Sequence, residues 1–179
     1  MDLGLIVKDP VAAAGFFAGF VYASPFGIIA LFFFTLFANA SLFLPILVEP
    51  IILAVAALAP NPMAVLGISL VTGIAAGIGE MSGYIFGLLG VKTLQKMNRE
   101  KVEKVFEIGK KLADRGPPII FMGSLTPFPF DLIGIAAGII KYNPKKFFAA
   151  TAAGKIVRYA LVGLAGFYGI AWLRALLGM

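Results

Sequence analysis

Neither cysteine nor histidine occurs among the 179 residues. The first absence removes disulfides, thiolate metal sites and cysteine nucleophiles. The second removes the usual general base and the commonest metal ligand, so no metal centre and no cofactor is expected. Charge is scarce as well, at 13% of residues, against about 25% in an average soluble domain. Meanwhile 60% of residues are hydrophobic and the mean hydropathy is +0.97. A chain so poor in charge is expected to be a polytopic membrane protein of one domain spanning residues 1–179. At about 20 apolar residues per helical crossing, roughly four to six membrane segments fit the length, with nothing left for a soluble domain. The start of the chain, with Asp2, Lys8 and Asp9, lacks the basic, then apolar, then cleavable pattern of a removable signal and is expected to be retained.

The charge that exists is concentrated. Eight of the fifteen Lys and Arg residues fall between Lys92 and Arg115. With a net charge of +6, this cluster reads as a cytoplasmic face resting on anionic lipid and not as a nucleic-acid surface. Within it Val102, Val105, Phe106, Gly109, Leu112 and Ala113 follow 3,4 spacing. Glu100–Lys104 and Glu107–Lys111 stand one helical turn apart. The segment 92–115 is therefore expected to be an amphipathic helix on the membrane surface.

Around it the chain reads as two halves, about 24–91 and about 116–170. Residues 10–48 carry no charge, and Pro25 and Pro45 punctuate them. A membrane-hugging helix up to about Ser24 and a first span from Pro25 to Ala40 are expected. Leu42 to Leu58 contains Pro45, Glu49 and Pro50 and ends at Pro60-Asn61-Pro62. Proline removes an N–H and clashes with the preceding turn, so a re-entrant hairpin fits this stretch better than an uninterrupted span. Met63 to Val91 is long enough to cross with tilt. Pro117 to Ile140, with Pro127, Pro129 and Asp131, is a second broken segment. Basic residues flank it on both sides (Lys141, Lys145 and Lys146 follow it), so a hairpin returning to the cytoplasm obeys the positive-inside rule where a crossing would not. Phe147 to Tyr168 is the last clear span.

The same order thus occurs twice: a helix, a proline-broken segment carrying an acid, then a Gly-rich span. Glu49 is followed by Gly79-Glu80 and Tyr84, and Asp131 by Gly154-Lys155 and Arg158-Tyr159. Paired interrupted segments in corresponding halves are the sequence pointer to a transporter's central site. The architecture expected is all-α, with two inverted repeats.

The candidate site residues are those whose charge is expensive at membrane depth. Glu80 is the one charge from Pro50 to Val91 and shares a face with Gly73, Ala76, Gly77, Gly83 and Gly87. A carboxylate on a stripe where backbones approach closely is a functional site by default; its plainer role is a packing hydrogen bond to Tyr84 or Ser82. Glu49 is a second candidate, or a group meeting free N–H groups at a helix start. Asp131 is a third, or an N-cap. Lys155 and Arg158 share one helix face. They either snorkel to headgroups, pair with Asp131 or Glu80, or bind a lipid phosphate, which Arg does bidentately. Pro45, Pro50, Pro127 and Pro129 are expected to break helices so that backbone groups line a cavity. Gly77-Ile78-Gly79-Glu80 brushes against the Gly-x-Gly-Asp motif of intramembrane aspartyl proteases. The acid differs, and no second acid stands in a matching context, so no enzyme is expected.

Four strings carry a resemblance: FLPILVEPIILAVAAL (43–58), GIGEMSGYIFGLLG (77–90), FMGSLTPFPFDLIGIAAG (121–138) and GKIVRY (154–159). In this order the chain resembles the DedA family, whose core, the VTT domain, is shared with SNARE-associated Golgi proteins. The resemblance implies a multi-pass membrane protein with two facing re-entrant hairpins that moves lipids. Its members act as flippases for polyprenyl phosphate or phosphatidylethanolamine, or as passive scramblases. It also implies proton-dependent function through embedded acids, with Glu49 as the first-hairpin acid, Glu80 as the Gly-rich span's acid, and Lys155 and Arg158 in the basic motif. Bacterial members carry arginines around the second-hairpin prolines, where this chain has Gly123, Ser124, Phe128 and Asp131.

The expected function is a flippase or transporter of an anionic lipid or lipid-like substrate, with protons as a coupling partner through Glu49 and Glu80. Three alternatives stay open: a passive scramblase, a small-solute or ion transporter, and a scaffold. The expected location is the cell membrane, with 92–115 and 141–146 cytoplasmic and an oligomer open.

Overall fold

A computed structural model describes residues 10–40, 48–90, 98–126 and 130–177, and among these there is no strand. The helices are α1 (Pro10–Ala23), α2 (Gly27–Ala40), α3 (Val48–Ala57), α4 (Pro62–Leu88), α5 (Arg99–Leu125), α6 (Phe130–Ile139) and α7 (Pro144–Leu177). The all-helical expectation therefore holds.

Helix starts follow local chemistry. Asn61 takes extended backbone and its side chain accepts from the Ala64 N–H at 2.9 Å, with Pro62 at the first helical position. Asn98 accepts from Lys101 N–H at 2.9 Å, and Asn143, before Pro144, from Lys146 N–H at 3.1 Å. Each amide satisfies a donor the helix cannot, and proline at the first position loses no bond. α5 is interrupted at Arg115 (φ −138°, ψ 49°), just before Gly116-Pro117-Pro118. Pro117 and Pro118 supply no N–H and crowd the preceding turn, and the break divides the charged amphipathic part of α5 from an apolar part ending at Leu125.

On the charged part Glu100–Lys104 forms at 2.6 Å and Arg99–Glu103 at 3.2 Å. Among the described residues Glu107–Lys111 does not close to an ion pair. Phe106, expected on the apolar face, is half exposed, while Val105, Gly109 and Leu112 are buried. Residues 92–97, the expected start of this surface helix, lie outside the described residues.

Two helices are long and apolar enough to cross a membrane, Pro62–Leu88 and Pro144–Gly169. The other apolar helices are shorter. At 1.5 Å per residue, α3 and α6, of 10 residues each, are about 15 Å long, half of a hydrocarbon core about 30 Å thick. α7 continues beyond the expected end at Tyr168 through Leu177.

The long helix α4 lies at the centre, packed on α7, α6 and α2; α7 in turn packs on α3 and α5, and α1 covers α3 and α2. The short helices are therefore exchanged: α3 rests against the second long helix, α6 against the first. Tyr84, Leu112, Ile120, Ile133 and Phe147 centre one apolar cluster, while Leu31, Val55 and Ile68 centre another.

The small-residue stripe of α4 explains how it holds three neighbours at once. A methyl on Gly77 would stand 2.9 Å from Cβ of Ala152 on α7. One on Gly87 would collide with the Ile135 carbonyl, and one on Gly138 of α6 would lie 2.7 Å from the Gly87 Cα. Backbone-to-backbone packing of this kind is available only to small residues.

Pro50 corrects one expectation. It sits inside the first turn of α3, where an N–H has no helical partner anyway, and does not break the helix. Pro45, Pro127 and Pro129 lie outside the described residues.

Candidate functional site

The five charged residues singled out by sequence converge on one pocket of about 190 Å³. Glu49, in the first turn of α3, and Asp131, in the first turn of α6, enter it from the two short helices. Glu80 enters from α4, and Lys155 and Arg158 from successive turns of α7. Ala38, Asn39, Val48, Phe130 and Tyr159 complete the wall.

Two ion pairs order the pocket. Lys155 Nζ lies 2.6 Å from Glu80 Oε1, with side chains 10% and 7% exposed. Arg158 Nη2 lies 2.5 Å from Glu49 Oε1, where exposure rises to 19% and 35%. The first pair is thus interior and the second stands at the mouth. Lys155 also donates to Asn39 Oδ1 at 2.8 Å and stands 5.7 Å from the centre of the Phe130 ring. Arg158 Nη1 donates to the Thr126 carbonyl at 2.6 Å. Asn39 spends its amide hydrogens on the Thr35 carbonyl at 2.8 Å and the Tyr159 hydroxyl at 3.4 Å.

This network is what a buried charge requires. Taking an ion pair out of water is repaid only when geometry is close and the remaining donors are also satisfied. Lys155, with a carboxylate, an amide oxygen and a ring face around it, meets that condition. Asp131 does not: it lines the same pocket, yet among the described residues no ion pair or hydrogen bond holds its carboxylate.

Glu80 is consequently not the solitary carboxylate its sequence context suggested. Its partner is Lys155 and neither Tyr84 nor Ser82; the Tyr84 hydroxyl donates instead to the Tyr142 carbonyl. Sequence reasoning missed Asn39, although it is the one side-chain amide between residues 10 and 60, which is the signal that could have found it. Tyr159 was noticed as part of a motif without being recognised as pocket wall.

The helical body thus gathers acids and cations into one polar pocket within apolar surroundings. The chain matches the VTT domain over residues 44–168, well over half its length, and it belongs to that family, the domain of the DedA membrane proteins. Comparison with curated proteins and with solved structures finds no match.

Proposed function

We propose that this protein carries an anionic lipid or lipid-like substrate across the bilayer, using the pocket between α3, α4, α6 and α7 as the polar passage for its headgroup. The single observation that carries this reading is the convergence of Glu49, Glu80, Asp131, Lys155 and Arg158 on one pocket in an otherwise apolar body. Intramembrane ionisable residues that face a shared cavity mark substrate and ion routes.

In this reading α3 and α6 are the inner arms of two re-entrant hairpins and the chain is built of two inverted halves. Three features support it. The short helices have equal length and carry an acid at the same position. Each packs on the long helix of the other half. Gly79-Glu80 with Tyr84 recurs at the same spacing as Gly154-Lys155 with Tyr159. Discontinuous elements meeting at mid-depth are how transporters build a central site.

Arg158 at the mouth would release Glu49 and take a headgroup phosphate in its place, since a guanidinium grips phosphate and carboxylate alike. Movement of protons through the carboxylates would supply the drive; one charge crossing about 100 mV is worth about 2.3 kcal/mol. The basic part of α5 and Lys141, Lys145 and Lys146 would rest on the cytoplasmic leaflet. The reading is of a carrier and not of an enzyme.

The test is reconstitution of wild type and Glu80→Gln with fluorescent phospholipids, with and without a pH gradient. Gradient-dependent lipid movement lost in Glu80→Gln is the expected result. Equal movement with and without the gradient means passive scrambling, and none in either condition removes the lipid reading.

A further inference from the structure

We propose that Asp131 is the seat of the one exchangeable positive charge in this pocket, a proton, and that Glu49 and Glu80 serve as fixed counterions. This rests on the carrier reading above and replaces the expectation that Glu49 and Glu80 move the proton.

Charge balance comes first. The pocket holds three carboxylates and two cations. Both cations are engaged at close range, Lys155 by Glu80 and Arg158 by Glu49. If every group is ionised, one negative charge remains in surroundings that penalise uncompensated charge. One positive charge per chain restores neutrality, and among the described residues Asp131 is the pocket carboxylate no cation holds.

The internal correspondence explains why Asp131 is the odd one. Matching Gly79-Glu80 and Tyr84 to Gly154-Lys155 and Tyr159 places Gly83 where the second half has Arg158. The arginine that neutralises Glu49 thus has a glycine as its counterpart. That glycine is pressed against α6: a methyl on Gly134 would stand 3.2 Å from the Gly83 carbonyl carbon. Where α6 meets α4 at Gly134, one helical turn along from Asp131, the contact is backbone to backbone, and at Gly83 the first half supplies no cation.

The groups that face Asp131 are Glu80 from α4, Lys155 from α7 and, from further off, Lys101 from α5. Of these, Lys155 is already held by Glu80 and Asn39. A proton fits better than an alkali ion, because the three carboxylates line the pocket without converging on one point as a metal ion would need. Protonated, Asp131 leaves the pocket neutral; deprotonated, it competes with Glu80 for Lys155.

Infrared difference spectroscopy of the full chain in liposomes reads this without any transported substrate. As pH falls, wild type minus Asp131→Asn should show a protonated-carboxyl stretch corresponding to one group per chain. Asp131→Glu should keep the band at a displaced frequency, and this variant decides alone if the asparagine form does not fold. Glu49→Gln should keep the band but displace it in pH, because it frees Arg158 and removes one negative charge from the pocket. Glu80→Gln should push its appearance to lower pH, because the freed Lys155 then holds Asp131 ionised. A band that survives in Asp131→Asn, or vanishes in Glu49→Gln or Glu80→Gln at every pH, overturns the assignment. Loss of the band on exchanging choline for sodium at fixed pH overturns it in favour of an alkali ion. Lipid movement followed in the same vesicles separates the two proposals. A titrating Asp131 in vesicles that move no lipid defeats only the carrier reading. Gradient-driven lipid movement with no titrating Asp131 defeats only this one.

Discussion

The ammonium of Lys155 lies 2.6 Å from Glu80 Oε1, and each of these residues stands directly after a glycine and four positions before a tyrosine. Two long helices, α4 and α7, are thereby joined by opposite charges. Removing one partner strands the other in a place that water hardly reaches. Lys155→Met should therefore cost about 3–5 kcal/mol, whereas the double variant Glu80→Gln with Lys155→Met, which buries no charge, should lose far less. Thermal unfolding in detergent, taken round the full double-mutant cycle, measures the coupling. A coupling near zero would mean that the two charges do not depend on each other.

How much of this was legible beforehand follows from physical range. Helix positions were legible because apolar periodicity, asparagine caps and prolines act over a few residues. α1, α2 and α4 fall close to where composition put them, although α7 runs past its expected end. The site residues were legible because a charge in an apolar run is costly wherever it finally sits. The partners were not, since sequence spacing does not say that Arg158 would meet Glu49 while Lys155 met Glu80. Asn39 was overlooked for a related reason. An amide costs less to bury than a charge, so its role appears only once Lys155 and Tyr159 are seen around it.

The glycine contacts of α4 lead to a second expectation. A methyl on Gly138 would run into the Tyr84 carbonyl and stand 2.7 Å from the Gly87 Cα, all backbone that has nowhere to yield. Gly138→Ala should cost about 1–3 kcal/mol, the usual penalty of overpacking. Gly67, on the exposed face of α4, has nothing within 4 Å of its would-be methyl. Gly67→Ala should be neutral or stabilising by about 0.5–1 kcal/mol, because alanine restricts the unfolded chain. Melting temperatures of the two variants decide it, and equal effects at both sites would refute the close packing of α4 on α6.

Two buried hydroxyls make a third case. Thr35 on α2 and Thr151 on α7 are fully buried, and neither Oγ1 has a hydrogen-bond partner among the described residues. Each lies one helical turn before a pocket residue, Asn39 and Lys155 respectively. A buried donor without a partner costs about 1–3 kcal/mol, so Thr35→Val and Thr151→Val, which keep the shape, should leave the melting temperature unchanged or raise it. A clear drop in either variant would show that a water molecule occupies the site and bonds the hydroxyl.

The exposed pair on α5 gives a pH dependence whose sign can be worked out. The hydrogen bond and charge of Lys104, 2.6 Å away, hold the Glu100 carboxyl below its ordinary range, and Glu100 holds the Lys104 ammonium above its own. For the acid, the helix-stabilising contribution is complete above the unfolded-chain value and is lost as pH falls through the depressed folded value. For the base, it is complete below the ordinary lysine value and is lost as pH rises through the elevated one. The pair therefore supports α5 across the neutral range and fails at both extremes. Both side chains are largely in water, so the effect is small and salt weakens it. Carboxyl chemical shifts followed against pH should show Glu100 titrating below the ordinary carboxylate range. Lys104→Ala should bring Glu100 back to the ordinary range, and a titration that ignores both this substitution and added salt would show that the pair does not persist in solution.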